Sequence, residues 1–368
     1  MSSKRKIFIA TRRSPLALWQ ANTVKRLLEE RGLEVELNLV VTSGDKMQRG
    51  ALAEISLDDP NLPAHLKTGK GLFVKEVQEE ILAGRADLAV HSMKDLPVET
   101  TSGLRVAAVL PRANPADVMI LSPQLQTHVK KFTGLASPAE LDTKKIIDAL
   151  RGFNWSGAAP VGTTSARRQF FLRKTFAGSE LPLVVLRGNV DTRLARVAAN
   201  EFSFIMLARA GIDRLGLFQP ESMITLPVAI STPAPAQGIV AIECRNDDHE
   251  LRGHLAALSD SDASLQAACE RTTLWLTGGN CHTALAAHFD GSRLTTWAAK
   301  ETQHSELLFS LSENEAREFG QLALQADHHS LFQTMLSSAA ALRLHQQLTQ
   351  SGFAQLMQMR IPTQLVKE

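Results

Sequence analysis

The 368-residue chain contains no tyrosine. No phenol is therefore available as an acid or a nucleophile, and proton transfer falls to carboxylates, histidines and lysines. Cysteine is scarce as well: Cys244, Cys269 and Cys281 form no CxxC pair. Three thiols cannot all pair with one another, which argues against a disulfide-framed secreted fold and for a reducing cytoplasm. Charge of one sign is also lacking. The net charge is only +2, too little for a global field that draws the chain to nucleic acid or membrane. No apolar run approaches a membrane span, and the run at 7–10 behind the basic N-terminus is too short for a signal-peptide core. HExxH, the P-loop and a full GxGxxG are missing. His249 and His254 are five apart, off the helical metal-binding spacing, and His282 and His288 flank a strand with no acidic partner nearby. No metal is expected.

What is present is an ordinary globular composition, 44% hydrophobic and 21% charged, long enough for two or three domains. Strand and helix patterns alternate. A strand at 7–10 is followed by Ser14 and Pro15, a good N-cap and first helical position, then a helix to Arg31 and a strand at 35–41. Residues 46–68 lack periodicity and read as a long loop or lid. A helix over 72–83 and strands at 86–90, 104–110 and 118–121 follow. The stretch 123–156 is mixed and reads as an insertion. A second alternating block at 161–211 predicts a second parallel sheet. Residues 223–244 read as a return segment. Beyond Asp247 come helices at 250–258 and 263–276, a hairpin across Asp290-Gly291, and a mostly helical tail.

The stretch ADLAVHSMKDLP at 86–97 concentrates chemistry. A buried strand ends in a burst of ionisable groups, where open α/β sheets keep their ligands. Lys94 beside Asp95 favours the ionised carboxylate. The plainer alternative is a βα turn with Asp95 as a helix cap. Arg12, Arg13 and Ser14 end another strand. Residues 160–215 carry nine basic and four acidic residues, a local net charge of +5. Guanidinium groups at strand ends grip carboxylates in bidentate fashion, so a polyanionic small molecule is the natural guest. A solvated helix face is the competing reading. Gly278-Gly279-Asn280-Cys281 places a thiol after flexible backbone, a weak sign of a nucleophile or attachment point.

Together these stretches resemble the hydroxymethylbilane synthase (porphobilinogen deaminase) family. The resemblance rests on ATRRSPLALWQ (10–20), GKGLFVKE (69–76), ADLAVHSMKDLP (86–97), VGTTSARRQ (161–169), LRGNVDTRL (186–194), AGIDRLG (210–216), PAPAQGIVAIECR (233–245) and GGNCH (278–282). It implies an α/β fold: two periplasmic-binding-protein-like domains with a cleft between them, plus a smaller C-terminal α+β domain. Domain 1 would be discontinuous, 1–112 with 227–246; domain 2 would span 113–226 and domain 3 247–368. The implied activity condenses four porphobilinogen molecules head to tail into hydroxymethylbilane, releasing ammonia each time, on a dipyrromethane cofactor held by thioether to Cys281.

By motif position, the resemblance makes Asp95 and Lys94 catalytic. It places Cys281, Ser165, Arg167, Arg168 and Arg187, with Lys94 and Asp95, on the cofactor. It places Arg12, Ser14, Arg187, Arg193 and Arg214 on the substrate. The chemistry agrees, since loss of ammonia from an aminomethylpyrrole leaves a cation that a fixed carboxylate stabilises, and each pyrrole brings two carboxylates for arginine. Cytoplasmic location and a monomer are implied. Two departures stand out: Asn280 intervenes between the glycine pair and Cys281, and Ala236 stands where a glycine is usual. The rival is a two-lobed solute-binding or effector-sensing module, which explains the arginines but not Asp95, Cys281 and a third domain together.

Overall fold

The computed structural model describes residues 5–42, 74–134, 142–280, 283–300 and 303–362. The expected lid at 46–68, the Gly69-Lys70-Gly71 lead-in and Cys281 lie outside the described residues.

The chain opens with β1 (Lys6–Arg12), α1 (Pro15–Glu29) and β2 (Glu34–Val40). Ser14 caps α1, its Oγ accepting from the Ala17 N–H, with Pro15 at the first helical position. Then come α2 (Lys75–Leu82), β3 (Leu88–Ser92) and β4 (Leu104–Val109). The chain next crosses to β5 (Asp117–Leu121), α3 (Pro123–Thr133) and α4 (Thr143–Arg151). The stretch read as a mixed insertion thus carries two helices. They bury Leu125, Val129, Ile146 and Leu150 in one core with Met119 and Phe204, so apolar burial rather than local pattern orders it. β6 (Val161–Gly162), α5 (Ala166–Thr175), β7 (Leu183–Val184), α6 (Val190–Ala198), β8 (Phe204–Ala208), α7 (Arg209–Arg214) and β9 (Met223–Thr225) complete the block.

The return segment ends in β10 (Val240–Arg245), which is not a neighbour of β9. It inserts between β3 and β4, antiparallel to both, giving a five-stranded sheet of order β2-β1-β3-β10-β4. The second five-stranded sheet has the order β7-β6-β8-β5-β9. It is not the purely parallel sheet expected from alternation, because β5 runs antiparallel to both β8 and β9. A chain that leaves one sheet and comes back must cross twice, and each sheet takes an antiparallel strand at the crossing. The expected α/β class and its pair of larger sheets hold.

The C-terminal part comprises α8 (His249–Ala256), α9 (Ser261–Leu276), the antiparallel strands β11 (Ala284–Phe289), β12 (Arg293–Lys300) and β13 (Gln303–Ser310), and helices α10 (Glu313–Gln325), α11 (His328–Leu336), α12 (Ala339–Gln350) and α13 (Phe353–Leu356). The expected hairpin is β11–β12; β13 was hidden in a tail read as helical. Its Leu308 is exposed while Phe309 is buried, the period-2 alternation of a half-covered strand. Gly278, at φ +62°, leads toward Cys281, and a Cβ there would sit 2.4 Å from the Gln358 carbonyl oxygen. That position therefore requires glycine.

Candidate active site

β3 is central, flanked by β1 and β10, and its first four residues are buried. It ends in a single 3-10 turn, Met93–Asp95. The turn is seated from three sides. Met93 is fully buried and Leu96 nearly so, in one cluster with Ala236, Ile239, Ala263 and Ala267. The Met93 N–H donates to the Ile239 carbonyl at 3.0 Å. Arg271 of α9 donates 2.7 Å to the Pro97 carbonyl and reaches those of Leu96 and Met93 at 3.3 and 3.5 Å. Burial pushes the Arg271 guanidinium down to about 10, only partly opposed by Glu243. Sequence reading missed this residue, because nothing local in a buried helix marks an arginine as a backbone clamp.

What the turn presents is then fixed. Asp95 is exposed and has no hydrogen-bond partner among the described residues. It is no helix cap: the following residue, Leu96, is already extended. Lys94 is partly exposed, and its Nζ donates to Gln237 Oε1 at 3.4 Å. Burial pushes the Lys94 ammonium down to about 8; Asp95 opposes that, and Arg168 and Arg167 add to it.

From the second sheet, Arg193 in α6 donates through Nε to the Gly188 carbonyl at 2.7 Å. Burial lowers its guanidinium to about 10, with Arg168 and Arg187 adding repulsion and Asp95 attraction. Among the described residues neither Arg193 nor Arg187 has a carboxylate partner. Asp95, Lys94, Arg168, Arg187 and Arg193 therefore share one electrostatic neighbourhood, although they come from different sheets. Uncompensated guanidinium groups facing a lone carboxylate suit a guest that is anionic at its edges and becomes cationic at its centre.

Other predicted site residues make contacts within the protein. Arg167 and Arg168 are nearly sealed from solvent against Asp117. Asp117 Oδ1 accepts from Arg168 Nη2 at 2.7 Å and from Arg167 Nη2 at 3.0 Å, while Oδ2 accepts from Ser231 Oγ at 2.8 Å. Burial alone would raise the Asp117 carboxyl; the two guanidiniums outweigh it and hold the group well below the usual range. Much of the donor capacity of both side chains is thus spent on a buried acid that sequence reading did not single out. Arg214 donates to the Gly238 carbonyl at 2.7 Å and lies over the Trp19 ring. Ser14 and Ser165 are the caps of α1 and α5, Ser165 Oγ accepting from the Arg168 N–H. Arg12 is the last residue of β1. Cys244 and Cys269 are free and buried; desolvation pushes the first up to about 12 and the second higher still, so neither is an activated thiolate. Among the described residues no cluster could hold a metal, and no helix is long and apolar enough to cross a membrane.

Among the described residues, this two-sheet α/β protein brings together arginines without carboxylate partners, a lysine and a solvent-facing aspartate, an arrangement that suits a small polycarboxylate. The family model for porphobilinogen deaminase, dipyromethane cofactor binding domain, matches residues 7–253. Porphobilinogen deaminase of Geobacter metallireducens is 37% identical over 282 residues, covering 76% of each chain. That of Legionella pneumophila is 39% identical over 284 residues, 77% of this chain and 79% of the relative. That of Maridesulfovibrio salexigens is 39% identical over 285 residues, 77% and 80%. Among solved structures, the ligand-binding component of an ABC-type import system from Staphylococcus aureus aligns with a TM-score of 0.37 and 11% identity, over 73% of this chain and 78% of that one, too distant to add weight. The chain belongs to the porphobilinogen deaminase family.

Proposed function

We propose that the exposed Asp95 carboxylate is the group on which the reaction turns. The chain is a hydroxymethylbilane synthase, a transferase that condenses four porphobilinogen molecules head to tail into hydroxymethylbilane on a dipyrromethane cofactor. The observation that carries this reading is the pairing, among the described residues, of an aspartate without a hydrogen-bond partner with arginines that lack carboxylate partners. As ammonia leaves a bound porphobilinogen, positive charge spreads over its pyrrole, and Asp95 is exposed and held by a rigid turn. A carboxylate fixed in advance stabilises that charge without reorganising. It can also accept a pyrrole N–H and carry away the proton lost when the new ring regains aromaticity.

The residues fit an anionic dipyrromethane, because Arg187 and Arg193 bring charge that no described carboxylate neutralises. Ser165, Arg167, Arg168, Arg187 and Lys94 would hold it from the second sheet and the turn, with Cys281 as the attachment point by motif position. Bound there, the cofactor supplies the pyrrole carbon that the first substrate unit joins. Arg12, Ser14, Arg187, Arg193 and Arg214 would meet the acetate and propionate of incoming substrate. Arg167 and Arg168 act with the donors that Asp117 leaves over. The strand membership of β10 supports a discontinuous first domain of 1–112 with 227–246, beside domains at 113–226 and 247–368. We place the protein in the cytoplasm, where its free thiols stay reduced, as a monomer.

Intact-mass measurement of the purified protein tests this. The mass is expected to exceed that of the sequence by one dipyrromethane, and the excess to vanish in Cys281→Ser. An unmodified chain that still binds an anionic ligand would instead make it a binding module.

A further inference from the structure

The return segment carries a residue that joins the two halves of the site. Gln237 is almost completely buried. Its Nε2 donates 2.6 Å to the Pro115 carbonyl and 3.0 Å to Asp117 Oδ1, both on the outgoing crossing. Its Oε1 accepts from Lys94 Nζ at 3.4 Å, and its backbone carbonyl accepts from Arg112 Nε at 2.9 Å. The orientation of the amide is forced. On one side stand a carbonyl and a carboxylate, which only accept; on the other stands an ammonium, which only donates.

The backbone is bent to make this possible. Ala236 is fully buried at φ +60°, a left-handed conformation that strains an L-residue. Its N–H donates 2.6 Å to Glu270 Oε2 of α9, and Glu270 in turn holds Arg112 at 2.7 Å. The dipeptide therefore points one donor at the C-terminal part and the next side chain at both sheets. Glu270 is itself held ionised: burial would raise its carboxyl, but Arg112 and His288 lower it.

Resting on the reading of Lys94 and Asp95 given above, we propose that Gln237 is a positioning residue for the condensation, tying the Lys94 ammonium to the Asp117–Arg167–Arg168 cluster so that both sheets present their charges in fixed register. Lys94 faces Asp95 on its own turn, Asp117 from β5, and Arg167 and Arg168 from α5. Gln237 gives this cation a neutral acceptor, which favours the charged form without cancelling it. With a methionine the acceptor is lost; with a glutamate a second negative charge arrives beside Asp117.

The test uses holoenzymes of the wild type, Gln237→Met and Gln237→Glu, each first shown by intact mass to carry the dipyrromethane. In Gln237→Met, kcat is expected to fall about tenfold with KM changed less than about threefold, and the alkaline limb of the kcat–pH profile to move about half a unit or more toward acid. In Gln237→Glu the limb is expected to move the other way. Opposite displacements in two variants of one buried site are not produced by simple loss of stability. If the methionine variant does not fold, the near-isosteric glutamate variant alone decides, by the direction of its limb. Wild-type kcat with an unmoved limb, or limbs that move together, would overturn the role of Gln237. A wild-type protein without the added mass would sink the proposed function instead, and the two failures are thus distinct.

Discussion

Two aspartates bracket the crossing between the sheets, and they could hardly be treated more differently. Asp95 ends the turn after β3, exposed and without a hydrogen-bond partner among the described residues. Asp117 starts β5 with no exposed surface and accepts from two arginines, a serine and a glutamine. An acid whose lone pairs are all engaged cannot take a proton or follow a charge that develops on substrate. An acid left open can do both, provided something else holds it still. Here Arg271 and the buried Met93 and Leu96 hold the backbone, so the carboxylate itself need not be tied down. The comparison also explains why the arginines divide. Arg167 and Arg168 surround the closed acid, while Arg187 and Arg193 have no carboxylate partner among the described residues.

Asp117→Asn is the hardest way to break that contrast. It leaves two nearly sealed guanidinium groups without their counter-charge. Removing one partner of a buried ion cluster costs about 3–5 kcal/mol, and the urea midpoint should fall accordingly, with turnover lost along with structure. The pH dependence has a definite sign. The folded carboxyl is held well below its ordinary value, so the stabilisation is present above the unfolded pKa of about 3.9 and is lost as pH falls below it. The asparagine variant should lack that acid-limb loss. A variant with wild-type midpoint and wild-type acid sensitivity would show that Asp117 is not the hub described.

Asp95→Asn is the complementary experiment, with its effect on rate instead of stability. Nothing described depends on the Asp95 carboxylate for packing, so the urea midpoint should stay within about 0.5 kcal/mol of wild type. Turnover should fall by about a hundredfold or more, the scale of a lost acid–base or charge-stabilising group. Substantial residual kcat in a fully loaded variant would move the chemistry away from Asp95, whereas a large stability loss would mean that the turn is not independently seated.

Much of this was legible in the chain and some was not, for reasons that differ by residue. The βαβ start, Ser14 as cap and the strand before Lys94-Asp95 are local signals: a cap residue, a proline at N1 and a short apolar run act within a few positions. Family motifs then pointed to Asp95 and the arginines. The Asp117 hub was not legible, because its partners lie in α5 and the 231–237 segment, and pairing over such separations is decided by packing. The same holds for β10 inside the first sheet and for Arg271. Runs of arginine read alike whether they face a ligand or a buried acid; only the position of the counter-charge separates the two.

The finest distinction concerns the Ala236-Gln237 dipeptide, and Ala236→Gly addresses it. Ala236 occupies a left-handed conformation because its N–H must meet Glu270 while Gln237 turns toward Asp117 and Lys94. Glycine adopts that conformation at no steric cost, recovering about 1 kcal/mol, but it also widens the unfolded ensemble at a cost of about 0.4–1 kcal/mol. Strain relief should narrowly win, so the variant is expected to be more stable by about 0.5 kcal/mol or less, read from paired urea titrations. Activity at the pH optimum should be unchanged, since every hydrogen bond of the dipeptide survives the substitution. A clear loss of stability would mean that the alanine methyl, packed among Met93, Leu96 and Ile239, contributes more to the seat of the turn than its strained backbone costs. In that case the open acid and the closed one are joined through apolar packing as well as through Gln237.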